Sequence, residues 1–192
     1  MESTSTATLT LEDFMQRYSD EGPFELIDGA FIPVTAQVLK TVRITFSLAR
    51  KLADFVDAQK LGEVFVEAPF VLVYGSNWVK GSRIPDIMFY RADRVAQFED
   101  NDPDAEDKPL IGPPDLAVEI VSPTDRMIDV TRKVRLYLED GVQLVWVVEP
   151  DEKSVSIFTP NTKQFTRLTI EDTLSGGDIL PNFALPLEQL FE

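Results

Sequence analysis

The chain of 192 residues contains no cysteine and no histidine. Without cysteine, disulfides and thiolate metal sites are excluded. Without histidine, the usual general base, the usual zinc ligand and every Ser-His-Asp arrangement are excluded too. Any catalysis must run on carboxylates, lysine, tyrosine or hydroxyls. Basic residues are scarce: 18 Lys and Arg stand against 33 Asp and Glu, a formal net charge of −15. That balance favours solubility and argues against a general nucleic-acid or membrane coat. No run of about 18 consecutive apolar residues occurs, so no transmembrane helix is expected. The start, MESTSTATLT, is polar and lacks the basic-then-apolar layout of a signal peptide. A cytoplasmic protein without membrane attachment is expected.

What is present suits a folded body. Hydrophobic residues make up 44% of the chain, enough for a core, and the length fits one compact domain over residues 1–192. There is no internal repeat and no long linker. TLEDFMQRY (10–18) predicts a short helix capped by Thr10. FELIDGAFIPV (24–34) predicts two strands turning at Asp28-Gly29. Between 36 and 59, Val38, Leu39, Val42, Phe46, Ala49, Leu52 and Val56 recur at helical spacing, with Gly62 as a stop. The other side of that helix carries Lys40, Arg43, Arg50 and Lys51. It is either a solvated face or a phosphate-facing stripe. EVFVE, FVLVY and RIPDIMFY read as strands, GSNWVKGS as a polar turn, and EDNDPDAEDK (99–108) as a solvated acidic loop. A helix is expected over 127–140, capped by Ser122, Thr124 or Asp125 and ended by Gly141. VQLVWVVEP (142–150) is apolar enough for a central strand. SVSIFTP and QFTRLTI would form an edge-covering hairpin. The tail from Ser175 reads as loop-rich, with a short apolar turn docking at its end.

The informative stretch is DLAVEIVSP, 115–123. Alternation puts Leu116, Val118 and Ile120 on one face and Ala117, Glu119 and Val121 on the other. A buried unpaired carboxylate costs several kcal/mol, to order of magnitude, or takes up a proton. Glu119 must therefore reach solvent, pair with a base, or bind a metal. Asp86 poses the same problem on RIPDIMFY, sharing a side with Met88 and Tyr90. Two such acids brought together repel unless a cation or shared proton holds them. Oxygen donors without nitrogen or sulfur suit a hard divalent cation such as Mg²⁺. In the following helix Asp129, Lys133 and Tyr137 lie along one face, beside the apolar stripe Met127, Val130, Val134 and Leu138. Lys133 sits at the border. It either snorkels to solvent, paired with Asp129, or reaches the carboxylates.

IPDIMFY, then PPDLAVEIVSPTDRMIDVTRKVRLYLEDGVQLVWVVEPDEKSVSIF, together with FELIDGAFI, resembles the Uma-two family of putative restriction endonucleases over roughly residues 10–190. The resemblance implies an α/β, restriction-endonuclease-like fold of the PD-(D/E)xK class: a central mixed sheet flanked by helices, with additional β-hairpins. It implies Asp86 and Glu119 as catalytic and metal-binding acids, Lys133 as the catalytic lysine, and Mg²⁺ or Mn²⁺ as cofactor. It also implies DNA as partner and substrate, and a homodimer. The lysine of the common motif would stand at Val121, and in this family it has moved to the helix, at Lys133. Glu25 matches a family acid of unassigned role. The sequence departs from the family at Ala30, where an acid is usual, and at 35–42, which lack the usual histidine.

The expected chemistry is phosphodiester hydrolysis. Twelve of the 18 basic residues fall in three windows, 40–51, 80–94 and 126–135, which hold only the acids Asp86, Asp93 and Asp129. A locally positive cleft is therefore compatible with the acidic total, with Lys40, Arg43, Arg50, Lys80 and Arg83 as candidate nucleic-acid contacts. Two other readings remain at this point. One is a catalytically inactive nuclease-fold scaffold for protein binding or assembly, favoured by Val121, Ala30, the missing histidine and the acidity. The other is a metal-dependent hydrolase of RNA or another phosphate ester.

Overall fold

The computed structural model describes residues 9–75, 77–160 and 164–192. Most of the polar N-terminal stretch, Ser76 in the expected GSNWVKGS turn, and the tip of the expected 154–170 hairpin lie outside the described residues. The elements are β1 (Leu9–Thr10), α1 (Leu11–Glu21), β2 (Phe24–Ile27), β3 (Ala30–Pro33), α2 (Leu39–Gln59), β4 (Gly62–Val66), β5 (Phe70–Tyr74), β6 (Trp78–Arg83), β7 (Ile87–Arg91), α3 (Ala92–Asn101), β8 (Leu110–Ile111), β9 (Leu116–Ile120), α4 (Met127–Asp140), β10 (Leu144–Glu149), β11 (Ser154–Phe158), β12 (Thr166–Leu168), β13 (Thr173–Gly176), β14 (Leu180–Pro186) and α5 (Glu188–Phe191).

The central sheet has the order β12-β11-β10-β9-β7-β4. It is mixed, because β9 and β10 run parallel while the other neighbours are antiparallel. Alternation along β9 and β7 sorts the two faces as the sequence predicts. Leu116, Val118, Ile120, Ile87 and Phe89 pack with Leu48, Leu52 and Val56 of α2 and with the C-terminal β13–β14 hairpin. Ala117, Met88 and Tyr90 pack on the opposite face with Val130, Val134 and Tyr137 of α4. A second sheet, β3-β2-β6-β5-β8 with β1 on β6, carries α1 through Phe14, Phe24, Leu26, Val71 and Val79.

Several local expectations hold. Thr10 caps α1 in a capping box with Asp13. Asp28 and Gly29 both take positive φ, 51° and 79°, as a two-residue hairpin turn requires. Gly141 ends α4 at φ 110°, its N–H reaching the Tyr137 and Leu138 carbonyls. The β11–β12 hairpin covers one edge of the sheet.

Others are corrected. GSNWVKGS is mostly strand: β6 is fixed by pairing with β5, β2 and β1. Arg126, not Ser122, Thr124 or Asp125, stands at the N-cap of α4, and Asp125 accepts from the Ser122 N–H. Lys60 in the left-handed region ends α2, while Gly62 opens β4. Residues 99–101 belong to α3, and the acidic segment beyond it is tied by Lys108 to Asp102 at 2.5 Å. The tail forms the β13–β14 hairpin and α5, burying Leu174, Leu180, Phe183 and Leu190.

The largest correction concerns α2. Leu39, Val42 and Phe46 are exposed, Phe46 to 67%. The buried side of its first turns is instead Thr41 and Thr45, one position round the helix, before Leu48 and Leu52 take over. Thr45 donates its hydroxyl to the Thr41 carbonyl, whereas Thr41 faces a polar region.

Candidate active site

That polar region is a cavity of about 390 Å³, lined by Gln37, Thr41, Asp86, Glu119 and Lys133 among others. The backbone explains why the two acids meet there. Antiparallel pairing of β7 with β9 sets Ile87 opposite Val118 and Met88 opposite Ala117. One step further, the same register sets Asp86 opposite Glu119 on the shared face. Asp86 lies just before β7, where Pro85 removes a donor that the ladder does not use. Its Oδ2 accepts the Ile120 N–H at 2.5 Å, and its Oδ1 accepts from Gln37 Nε2 at 2.5 Å.

Glu119 is buried. Its Oε2 accepts from Lys133 Nζ at 3.0 Å, and its Oε1 accepts from the Tyr137 hydroxyl. Lys133 and Tyr137 are one helical turn apart, so α4 delivers both donors to one carboxylate. Lys133 thus reaches the carboxylates, and no ion pair with Asp129 forms; Asp129 lies near Arg126 instead. Glu25, also buried, lies 3.8 Å from Lys133 Nζ and accepts the Ile84 N–H at 3.0 Å. Glu25 therefore supports the lysine and the chain just before Asp86.

Electrostatics follow from this crowding. Burial, then the neighbouring Glu119 charge, pushes the Asp86 carboxyl up to about 8, against the pull of the Ile120 N–H and Lys133. Burial raises Glu119 as well, although Lys133 and the Tyr137 hydroxyl oppose it. Burial alone would lower Lys133, but Glu119 and Glu25 outweigh it and hold the ammonium above its ordinary value. Three inward carboxyls against one ammonium leave a site short of positive charge.

A stability consequence follows for Asp86. Its ordinary value is 3.8 and its folded value about 8. The folded chain binds this proton more tightly than the unfolded chain. The associated stability is present below pH 3.8 and is lost as pH rises through about 8. In metal-free protein, Asp86→Asn is therefore expected to raise the melting temperature most at pH 8–9, by roughly 1–3 kcal/mol of stability. The gain should vanish near pH 4. Melting curves across that range check it, and a pH-independent difference would contradict it.

The donor set fits a hard cation. Each oxygen of Asp86 and Glu119 accepts one of these hydrogen bonds and retains a further lone pair. A divalent charge would balance the excess anion. Among the described residues, however, no group of three or more His, Cys, Asp and Glu side chains is arranged to hold a metal.

The candidate nucleic-acid contacts separate. Arg43, Arg50 and Lys80 are exposed. Lys40 pairs with Asp151 at the surface. Arg83 is not available: it is 5% exposed, pairs with Asp140 at 3.1 Å, and donates to the Leu26 and Ser82 carbonyls. Its burial follows from its place at the inner end of β6. The sequence put Arg83 at the start of the strand RIPDIMFY; the structure ends β6 at Arg83 and opens β7 only at Ile87. Sequence reasoning also missed Gln37, Thr41 and Glu67 as cavity-lining residues. None lies in a motif. Glu67 stands between β4 and β5, its N–H on the Asp86 carbonyl at 3.2 Å.

A family model described as "Putative restriction endonuclease", Uma2, matches residues 11–188. The chain belongs to the Uma2 family. Among solved structures, a putative nuclease belonging to DUF820 from Anabaena variabilis ATCC 29413 is similar, with a TM-score of 0.76 at 22% identity. The match covers 95% of this chain and 97% of that one, and shows a shared fold. No curated protein matches the chain. Within this Uma2 chain, the two stretches that the resemblance singled out, Ala30 and 35–42, have distinct settings. Ala30 is exposed at the β2–β3 turn, whereas 35–42 run along the cavity wall at Gln37 and Thr41. No helix among the described residues is long and apolar enough to cross a membrane.

Proposed function

We propose that this chain is a cytoplasmic, single-domain endonuclease that hydrolyses DNA phosphodiester bonds with Mg²⁺ or Mn²⁺. The observation that carries the reading is the pairing across β7 and β9, which aims Asp86 and Glu119 into one open cavity with Lys133 3.0 Å from Glu119. Asp86 and Glu119 would hold the cation. When bound, the cation would activate a coordinated water and neutralise charge on the phosphate. Lys133 then serves two ends. It fixes one Glu119 oxygen, and its remaining N–H groups can face a phosphate oxygen. Tyr137 locks the other Glu119 oxygen, so the carboxylate presents a set direction to the cavity. Glu25 keeps Lys133 charged from behind.

Arg43, Arg50 and Lys80 form no ion pair among the described residues and are the phosphate contacts of this reading. With three free cations as phosphate contacts on a chain of net charge −15, binding should be weak and its salt dependence shallow, with a log–log slope of about −3. The test is incubation of supercoiled plasmid, linear duplex and RNA with Mg²⁺, with Mn²⁺ and with chelator. Metal-dependent DNA cleavage is expected. RNA cleavage alone would move the assignment to another phosphodiester.

One observation favours a second reading, an inactive scaffold. Every oxygen of Asp86 and Glu119 is already satisfied within the protein. An intact fold that binds neither Mg²⁺ nor Mn²⁺ would select it.

We also infer a homodimer, supported by the exposed apolar side chains Leu39, Val42 and Phe46 along α2. Light scattering should report a dimer for the wild type and a shift towards monomer in Phe46→Glu. A wild type that is monomeric at every concentration would refute it.

A further inference from the structure

Across the cavity from Glu119, the entry to α2 holds two buried polar atoms with no hydrogen-bond partner: Gln37 Oε1 and Thr41 Oγ1. Both residues line the cavity that holds Asp86 and Glu119. Thr41 is only 1% exposed. A buried polar atom left unpaired costs about 1–3 kcal/mol, and such atoms are few in native proteins. Two of them on residues lining one carboxylate cavity point to a partner that arrives from outside the chain.

The geometry at Gln37 indicates its nature. Nε2 donates to Asp86 Oδ1 at 2.5 Å, so the orphaned Oε1 belongs to an amide already touching a candidate cation ligand. A bare carboxylate attracts the donor end of an amide. A carboxylate carrying a cation attracts the acceptor end. One rotation of the terminal amide exchanges the two. Mg²⁺ and Mn²⁺ take oxygen ligands, and neutral side-chain carbonyls and water-bridged hydroxyls serve them well. This also accounts for a cavity in which, among the described residues, no third acid, histidine or cysteine joins Asp86 and Glu119 in a metal-holding group, although Glu67 and Asp125 line it too. It gives a reason for Thr41 on the inward side of α2.

We propose that Gln37 is a direct oxygen ligand of the divalent cation, its amide turning to present Oε1, and that the Thr41 hydroxyl holds a cation-bound water. This rests on the metal-dependent reading above. Gln37 then does, with a neutral oxygen, part of the work for which this chain has no histidine. Because neither an amide nor a hydroxyl titrates near neutrality, these two contacts add no proton-linked step of their own.

The test is Mn²⁺ binding to the full chain without substrate, followed by the free-ion electron paramagnetic resonance signal and by calorimetry. Water-proton relaxation counts the waters on the bound ion. Gln37→Leu should weaken Mn²⁺ binding by about 10-fold or more and add one bound water. Thr41→Val should weaken it less and leave the count unchanged. Melting curves in chelator establish folding, and Gln37→Leu should melt close to the wild type, because it removes an orphaned oxygen together with the Nε2 donor to Asp86 Oδ1. Should Gln37→Leu fail to fold, Gln37→Glu replaces it, and Mn²⁺ binding weaker than wild type there would overturn the proposal. Gln37→Leu binding as tightly as wild type, with Asp86→Asn abolishing binding, would overturn this inference alone. A wild type that binds no Mn²⁺ would overturn both it and the metal-dependent reading.

Discussion

Asp86→Ala and Glu119→Ala are each expected to lower metal-dependent DNA cleavage by at least about 10²–10³-fold. The two acids face one cavity from adjacent strands, so removing either leaves half of the anionic set for the cation. Their effects on stability should differ in sign. Asp86 is held as a strained carboxyl, pushed up to about 8 by burial and by Glu119. Its removal relieves repulsion, and the metal-free variant should melt at or above the wild type near pH 8. Glu119 has two donors to lose, Lys133 and Tyr137. Its removal strands the Tyr137 hydroxyl and leaves Lys133 with only Glu25, 3.8 Å away. That variant should melt lower, and Glu119→Gln lower by less. Loss of activity together with a gain in stability is the signature of a group kept for function rather than folding. Plasmid nicking assays alongside melting curves decide the point. Wild-type cleavage by Asp86→Ala or Glu119→Ala would end the nuclease assignment.

How much of this was readable in advance depends on which forces set each feature. Period-two alternation needs only local backbone geometry. It placed Glu119 with Ala117 and Val121, and Asp86 with Met88 and Tyr90, and both faces are as expected. The helix 127–140 has sharp ends and a clear stripe, so Lys133 and Tyr137 fell on one side. The first turns of α2 misled for a physical reason. Val38, Val42 and Phe46 form a good apolar stripe, and hydropathy assigns such a stripe to the core. Yet Thr41 and Thr45 face inward: Thr41 lines a polar cavity, and Thr45 donates its hydroxyl to the Thr41 carbonyl. Hydropathy cannot register that a site rather than a core lies beneath a helix. β6 failed similarly. Gly81 and Ser82 carry no strand signal, and the strand exists because of its partners: Leu26 N–H donates to Ser82 Oγ at 2.9 Å, and Arg83 pairs with Asp140. The same tertiary dependence hid Gln37 and Glu67, which lie between elements and acquire their roles from what packs opposite them.

Lys133→Met carries the largest expected loss of stability. Methionine keeps much of the length of the stem and removes the ammonium, so packing changes little and electrostatics change a great deal. Lys133 is the one base within ion-pair distance of Glu119 and of Glu25 among the described residues. Breaking a buried pair from one side costs up to about 3–5 kcal/mol; with Lys133 half-buried, a loss of roughly 2–4 kcal/mol is expected. For a chain of this size that corresponds to a fall in melting temperature of about 4–16 °C. The pH dependence identifies the cause. Glu119 already has a raised value in the wild type, because burial exceeds the pull of Lys133. Without Lys133 it rises further, and the folded variant keeps the proton over a wider range. Stability tied to that proton is present below the ordinary value of 4.5 and is lost as pH climbs through the folded value. The deficit of Lys133→Met should therefore be small at pH 5 and largest at pH 8. Lys133→Arg restores the charge and should recover most of the stability. It should not restore cleavage, because a planar guanidinium cannot occupy the same point between two carboxyls and a phosphate. Melting temperatures of the three proteins at pH 5 and pH 8, set beside their nicking rates, separate the two contributions. A deficit that does not grow with pH would mean that Lys133 supports the helix surface and not the Glu119 carboxylate.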